Sequence, residues 1–440
     1  MKFIPQIPIK KFLKLSNYNK ISWITSIVII VFIIIELTGS LINSGNNEFF
    51  IDDKNELGKK VFNSSVIKNF YNGLSSTPYN YLTTFKSDKP DNCFRVFLIG
   101  ESSLSGWPYS KEQSIDRKLN KLFGHYIENE KIEIITISIA GFNTSLACEI
   151  IPNLMKFKPD LIMLYTGHNE FYGYNGYTTI RSKSNLVLMD LMEKLLQKTG
   201  VLNSITYDKY RDDLEILLPF NADEQIITEL QKEYYNIKNQ YLSNIQKIIS
   251  VCRENNIRLA LTALSDNCLL PPIGVLNRKD DISADIIYNN ARMALIRDGN
   301  QNTAVRLFKK SKDVDAFRLR IPENFIEDLK NISEQNDISI ADINTEFTLN
   351  SPNNIPGNNL FMDYIHPNSE GLNILASAYA KIILTTFFEK NNYNAAIETT
   401  LNNNPVSKKD SVLAQERIER SHALIKLLNN SKYMNEVVVK

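Results

Sequence analysis

Serine, aspartate and histidine side chains occur in this chain in an order that could cleave an ester. Ser102 follows a glycine and an acid at the end of an apolar run, and Asp363 precedes His366 by three residues. A serine hydroxyl is a weak nucleophile at neutral pH, so it needs an adjacent base whose tautomer is held by a carboxylate. The spacing from Asp363 to His366 lets both side chains come from one turn. The pattern predicts Ser102 as nucleophile, His366 as base and Asp363 as the acid that orients it.

The negative charge that develops on a substrate oxygen in such a reaction needs preorganised hydrogen-bond donors. The candidate donors are the backbone N–H groups of Ser102 and Gly141 and the side-chain amide of Asn169. Glycine at 141 permits close backbone approach. Taken singly, each motif also fits an ordinary structural role, since such residues often cap helices or stabilise turns. Their order along the chain, each beside a strand-like run, is what predicts an active site.

Three further residues are candidates for the substrate pocket: His168, Asn267 and Arg318. His168 neighbours Asn169 and would either line the pocket or serve a structural role. His125 and His422 lie in polar helical patterns, where solvation is the default. The cysteines lack the spacing of metal ligands, so neither a metal nor a cofactor is expected.

Taken together, four motifs resemble the SGNH hydrolase family, also called the GDSL family. They are the serine block 100–103, the glycine block 140–144, the asparagine block 167–170 and the final block 363–367. Two blocks depart from the usual pattern, because Glu101 replaces an aspartate and the asparagine block reads Gly-His-Asn-Glu instead of Gly-Gly-Asn-Asp. The run 165–173 looks like a membrane-anchored bacterial branch of the family. The resemblance implies a Ser102-His366-Asp363 triad, an oxyanion hole of Ser102, Gly141 and Asn169, and ester hydrolysis through an acyl-enzyme.

Strand-like and helical runs alternate along the middle of the chain, which predicts an α/β fold with a parallel sheet between two helical layers. About five strands are expected, at 94–99, 132–139, 160–166, 257–264 and 337–343. The resemblance implies the three-layer, flavodoxin-like SGNH fold. In open α/β sheets the turns after the strands gather at the carboxyl edge, where distant residues can converge.

Two stretches, 176–222 and 273–332, exceed what a crossover connection needs. The second has the pattern of a single tetratricopeptide-type helical hairpin. Both are interpreted as a helical cap over the active-site edge, with plain packing as the alternative. The hydrolase domain is expected to span 91–390, followed by a polar tail, 391–440, with one solvated or loosely docked helix. A helix that binds a partner is the alternative for this tail.

The N-terminus combines lysines with a long apolar run. Residues 21–43 give about the 20 residues that a spanning helix needs. The lysines before this run place residues 1–20 in the cytoplasm under the positive-inside rule, so the catalytic domain would lie outside. A cleaved signal peptide is the alternative. Residues 44–90 are polar and without a strong period, which predicts a spacer between membrane and domain.

A formal net charge of +1, with both signs scattered, gives no basic face for nucleic acid. The four cysteines are too few for a disulfide scaffold, although a bridge such as Cys252–Cys268 stays open. The expected partners are therefore an acyl-ester substrate, such as an O-acyl group of an envelope glycan, and the membrane. An acyltransferase to a sugar hydroxyl, or a silent tethered binding protein, are the alternatives. The sequence does not indicate an oligomeric state.

Overall fold

The computed structural model describes residues 48–67, 70, 80–126, 131–175, 224–274, 283–315, 317–387 and 405–429. The predicted cytoplasmic N-terminus and anchor, and the first insertion at 176–222, lie outside these residues. Among the helices of the described part, none is long and apolar enough to cross a membrane.

The described residues form nine strands in two sheets. In chain order they are β1 (Phe50–Asp52), β2 (Lys59–Phe62), β3 (Asn80–Leu82), β4 (Phe85–Lys86), β5 (Cys93–Gly100), β6 (Lys131–Ile139), β7 (Leu161–Tyr165), β8 (Arg258–Ala263) and β9 (Ser339–Asp342). The main sheet has the order β3-β6-β5-β7-β8-β9, and all its pairs are parallel except β3 with β6. Its five parallel strands match the five predicted ones. Their order, second-first-third-fourth-fifth, is the flavodoxin-like arrangement, so the predicted fold class is confirmed.

The centre of the sheet is apolar on both faces, as expected for parallel strands covered by helices on each side. Val96, Phe97, Leu98 and Ile99 of β5 are each 0% exposed. All five residues of β7 are buried as well. This continuous burial explains why β5 and β7 appear in the sequence as unbroken apolar runs.

The described part of the chain contains ten α-helices, and two groups of them pack on the main sheet. In chain order they are α1 (Ser64–Ile67), α2 (Ile115–Tyr126), α3 (Thr144–Ile150), α4 (Glu224–Glu254), α5 (Ala284–Ile296), α6 (Gln301–Asp313), α7 (Glu323–Gln335), α8 (Ile343–Leu349), α9 (Ser369–Ile382) and α10 (Lys408–Asn429). Helices α2, α8 and α9 contact one another or shared strands, as do α3, α4 and α7. The chain adds β6 on one side of β5 and then β7, β8 and β9 on the other side. Because the crossovers are right-handed, this change of side places the two groups of helices on opposite faces.

The described part of the predicted spacer belongs to the domain. Strands β1, β2 and β4 form an antiparallel sheet, and β3 adds an edge to the main one. Phe50 and Phe85 are buried and each ring contacts Phe157 at 4.9 Å. The buried Arg95 guanidinium donates to the carbonyl oxygens of Lys86 (2.9 Å) and Phe157 (2.7 Å). The spacer prediction was wrong here because strands this short show no readable alternation.

The second insertion contains the predicted helical hairpin, formed by α5 and α6. The hairpin has a small core of its own, made of Cys268, Ala291, Ala294, Ala304, Phe308 and Ile355. The insertion ends earlier than predicted, because α7 is the ordinary crossover helix and contacts both β8 and β9. A short return segment, residues 317–321, connects the hairpin to α7.

The tail helix is docked on the domain, whereas the sequence predicted a solvated or loosely docked one. Ala414 of α10 is 0% exposed and belongs to the main core. The Arg417 guanidinium donates to the carbonyl oxygens of Pro108 (2.9 Å) and Tyr109 (2.8 Å). The four cysteines are free thiols, so the Cys252–Cys268 bridge is not formed.

Candidate active site

Ser102 lies at the topological switch point of the main sheet, where the order in which strands are added reverses. The chain leaves β5 at Gly100 and enters a 3-10 helix at Ser102. Strand β5 lies between β6 and β7, and its two neighbours are reached on opposite faces, so a crevice opens at its carboxyl end. A Cβ atom on Gly100 would lie 2.0 Å from the Tyr165 carbonyl oxygen. Only glycine therefore fits immediately before the Glu101–Ser102 turn.

Ser102, His366 and Asp363 form a continuous hydrogen-bonded line. Ser102 Oγ is 2.8 Å from His366 Nε2, and His366 Nδ1 is 2.8 Å from Asp363 Oδ2. The other carboxylate oxygen of Asp363 accepts the backbone N–H groups of Ile365 (2.9 Å) and His366 (2.8 Å). With its proton on Nδ1 facing the carboxylate, the imidazole presents Nε2 as an acceptor to the serine hydroxyl. The predicted nucleophile, base and acid are thus brought together across 264 residues.

The charge of Asp363 is stabilised where it lies. Burial by itself would raise the pKa of this carboxyl, but the His366 imidazole and the two backbone N–H donors outweigh burial and hold the pKa below its usual value. The group therefore stays ionised at neutral pH and can stabilise a positive charge on His366.

Trp107 contacts the His366 ring directly, a contact that no pattern in the sequence indicates. Its ring centroid lies 4.1 Å from that of His366, with the planes tilted by 52°. A bulky indole against the imidazole restricts the ring to the orientation that faces Ser102. An aromatic residue five positions after a serine has no distinctive pattern, so only the fold shows the contact.

The three candidate oxyanion donors are the partly exposed members of otherwise buried loops. Ser102, Gly141 and Asn169 are each half-buried, while the residues beside them are buried. Gly141 has a φ of 73°, which favours glycine. A Cβ atom on Gly173 would lie 2.6 Å from the Gly141 carbonyl oxygen and 2.8 Å from that of Asn169. The glycine and asparagine loops therefore meet at Gly173.

Two buried glutamates connect these loops. Glu101 Oε1 accepts the backbone N–H groups of Gly167 (2.8 Å) and His168 (3.0 Å), which joins the serine turn to the asparagine loop. Glu170 accepts the backbone N–H (2.9 Å) and the hydroxyl (2.7 Å) of Thr144, which joins the asparagine loop to the glycine loop. Burial raises the pKa of Glu101 to about 8 and that of Glu170 to about 7. Both acids thus hold backbone groups of neighbouring loops in place.

His168 does not line an open pocket, contrary to that interpretation of the sequence. It is 0% exposed, and its Nδ1 accepts the Ile321 N–H at 3.2 Å. Burial lowers the pKa of His168 to about 3, so its imidazole is neutral. It is a structural residue beneath the asparagine loop.

Asn267 is likewise buried instead of lining a pocket. It is 0% exposed, and its side-chain amide donates to the Asp363 carbonyl oxygen at 3.2 Å.

Arg318 is half-buried, and its guanidinium lies over the rings of Tyr234 (5.1 Å) and Phe171 (5.8 Å). Polar residue type alone suggested a pocket role, but burial depends on segments far along the chain.

No cluster of three or more histidine, cysteine or acidic side chains that could hold a metal ion occurs within the described ranges. The hydrogen-bonded line from Asp363 to Ser102 places an imidazole that can act as a base within reach of a serine hydroxyl. The arrangement can therefore support acyl transfer through a serine ester.

Comparison with known proteins gives weak likenesses. No family model matches the chain, and no curated protein matches it. Similar solved structures include a GDSL-like lipase from Bacteroides thetaiotaomicron, with 12% identity and a TM-score of 0.34 over 67% of this chain and 89% of that one. An esterase from Pseudoalteromonas shows 12% identity and a TM-score of 0.34 over 68% and 100%. An acetylxylan esterase from Geobacillus stearothermophilus shows 12% identity and a TM-score of 0.34 over 66% and 94%. Likenesses this distant carry no argument about activity, which must come from the site.

Proposed function

We propose that this protein is a serine ester hydrolase that works through an acyl-enzyme. The observation that carries the proposal is the hydrogen-bonded line from Asp363 through His366 to Ser102. Ser102 Oγ attacks the ester carbonyl carbon while His366 Nε2 takes its proton. Collapse of the tetrahedral intermediate breaks the bond to the alcohol oxygen, and His366 returns the proton to the departing alcohol. Water, deprotonated by His366, then attacks the acyl carbonyl carbon. The bond from that carbon to Ser102 Oγ breaks, His366 returns the proton to Oγ, and the acid is released.

A fluorophosphonate probe tests this function directly. The probe phosphorus forms a bond to an activated serine oxygen and loses fluoride, so it reports the nucleophile without knowledge of the natural substrate. We expect the wild-type protein to be labelled, with the mass added to the peptide that contains Ser102. Protein denatured before labelling is the control. A folded protein that stays unlabelled and hydrolyses no p-nitrophenyl ester would contradict the proposal.

Asn169 is proposed as the side-chain donor to the oxyanion. Loss of one such donor lowers kcat by roughly 10²- to 10³-fold in other enzymes, because the stabilised charge exists only in the transition state. We therefore expect Asn169→Ala to lower kcat by about this factor and to leave KM within a few-fold. Steady-state kinetics with a p-nitrophenyl ester measures both constants. Asn290→Ala, at an exposed position of α5, is the control. A KM effect alone would show that Asn169 binds the ground state.

We propose that the substrate is an O-acyl group on an envelope glycan. Support comes from the proposed position outside the cytoplasm, where such esters occur, and from the partly exposed Ser102. Release of acetate from O-acetylated envelope polysaccharide, compared with a soluble p-nitrophenyl ester, measures the preference. Turnover of the soluble ester without release from the polysaccharide would leave the hydrolase and reject the substrate.

The N-terminal run 21–43 is proposed as an uncleaved membrane anchor with the catalytic domain outside the cytoplasm. Support comes from the length of the apolar run and from the lysines ahead of it. A reporter that is active only outside the cytoplasm should work when fused after residue 50. The full-length protein should stay with membranes after a high-salt wash. Release of a shortened soluble chain would show a cleaved signal peptide instead.

A further inference from the structure

We propose that the return segment, residues 317–321, is a positioning element that holds both halves of the active site. It follows the α5–α6 hairpin and precedes α7. One half of the site is the asparagine loop with Asn169, and the other is the turn that carries Asp363 and His366. The inference rests on the proposed function, because the groups that the segment holds are the proposed catalytic groups. It predicts that the second insertion contributes to the catalytic step, whereas a cap would only restrict access.

The two ends of the return segment each contact the asparagine loop. At one end, the Ile321 N–H donates to His168 Nδ1 at 3.2 Å. A Cβ atom on Gly167 would lie 2.4 Å from Ile321 Cδ1, so the backbone there lies directly against this side chain. At the other end, the Arg318 N–H donates to the Tyr172 hydroxyl at 3.1 Å. Asn169 lies between these two attachments.

Arg320 connects the same segment to the acid–base turn. It is buried, and its guanidinium donates to the Asn267 carbonyl oxygen (3.1 Å) and to the Leu270 carbonyl oxygen (3.0 Å). Asn267 in turn donates its backbone N–H to the Tyr364 carbonyl oxygen (2.9 Å) and its side-chain amide to that of Asp363 (3.2 Å). One residue thus separates Arg320 from the turn that holds the catalytic acid.

Buried charges fix the segment at its two ends. Lys312, at the end of α6, forms ion pairs with Asp266 (2.8 Å) and Glu323 (2.6 Å), and its side chain is 1% exposed. Asp315 accepts the backbone N–H groups of Ile273 (2.9 Å) and Gly274 (2.8 Å). Buried charges are costly to leave unpaired, so these contacts resist displacement of the segment. A segment held in this way is suited to positioning and not to opening and closing.

The segment also accounts for an unusual residue. His168 occupies the position where the resembled family has a glycine. A glycine there would leave the buried Ile321 N–H without its acceptor, which is unfavourable. The imidazole and the return segment therefore depend on each other, and His168 acts through the asparagine loop as a positioning residue.

Two substitutions at His168 separate the hydrogen bond from the bulk of the ring. In His168→Asn the amide oxygen can replace Nδ1 as the acceptor, so we expect kcat within about 3-fold of wild type. In His168→Leu the side chain fills the space but offers no acceptor. Misplacement of catalytic groups by about 1 Å can cost roughly 10²-fold, so we expect His168→Leu to lower kcat by about 10- to 100-fold with KM little changed. The acid limb of the pH–rate profile should stay in place, because His366 remains the base. Equal kcat in the two variants, with both proteins folded, would overturn the role of the hydrogen bond.

Hydrogen exchange followed by mass spectrometry gives a readout that does not depend on activity. We expect faster exchange in the peptide 161–175 for His168→Leu and in the peptide 358–368 for Arg320→Met. Arg306→Met, on the exposed face of α6, is the matched control and should change neither peptide. Wild-type exchange in both peptides of the two test variants would overturn the proposal. If the wild-type protein cleaves no ester, the proposed function fails, while the exchange result still decides whether the segment positions these loops.

Discussion

Replacing Ser102 with alanine is expected to abolish both fluorophosphonate labelling and ester hydrolysis. In the proposed mechanism the hydroxyl oxygen of Ser102 forms the bond to the acyl group, and it lies 2.8 Å from His366 Nε2, the proposed base. Triads that lose a member keep only the roughly 10³- to 10⁴-fold residual catalysis supplied by binding and the oxyanion hole. Gel fluorescence after probe treatment and initial rates with a p-nitrophenyl ester measure the two losses.

Ser103→Ala is the control for this substitution. Ser103 is the next residue of the same 3-10 helix but is 1% exposed, so its side chain does not reach the crevice. We expect this variant to keep most of the labelling and most of the rate, with any loss appearing in thermal stability. A dead Ser103→Ala and an active Ser102→Ala would place the nucleophile one residue later.

Asp363→Asn is expected to keep the fold and to lower kcat by about 10⁴-fold, as an asparagine at this position does in another triad. The asparagine oxygen can still accept the N–H groups of Ile365 and His366, which preserves the turn. Its amide nitrogen, however, would donate to His366 Nδ1 and force the ring proton onto Nε2. In that tautomer the ring cannot accept the serine proton. Circular dichroism checks the fold, and kinetics at saturating substrate gives kcat.

The pH–rate profile extends this test. In the proposed mechanism a protonated imidazole at His366 cannot take the proton of Ser102, so kcat/KM of the wild type should fall at acid pH. Asp363 is ionised there, because its pKa is held below the usual value, and His168 stays neutral, because burial lowers its pKa to about 3. His168→Asn should therefore leave the acid limb unchanged, while His366→Ala should lose turnover. Loss of the limb in His168→Asn would reassign the base.

Local patterns in the sequence were sufficient to predict the strands and the acid–base turn. Strands β5 and β7 are unbroken apolar runs because helices bury both of their faces, and that burial dictates residue type at every position. Asp363 and His366 come from one turn, so their contact depends on three residues of chain and can be inferred from spacing alone. The roles of Ser102 and Asn169 remain predictions, now with a geometry that supports them.

Burial and long-range partners were decided by the tertiary structure. His168 and Asn267 look like pocket residues by type, yet both are fully buried because the return segment and the acid–base turn cover them. The tail helix looks solvated by its charge pattern, but Arg417 finds carbonyl acceptors 309 and 308 residues away. Charge pattern and residue type describe one stretch of chain, whereas burial is set by whichever distant segment packs against it. The sequence alone therefore determined the strands and the order of the reactive residues along the chain. The fold decided which polar side chains are exposed at the site and which are buried and hold its loops together.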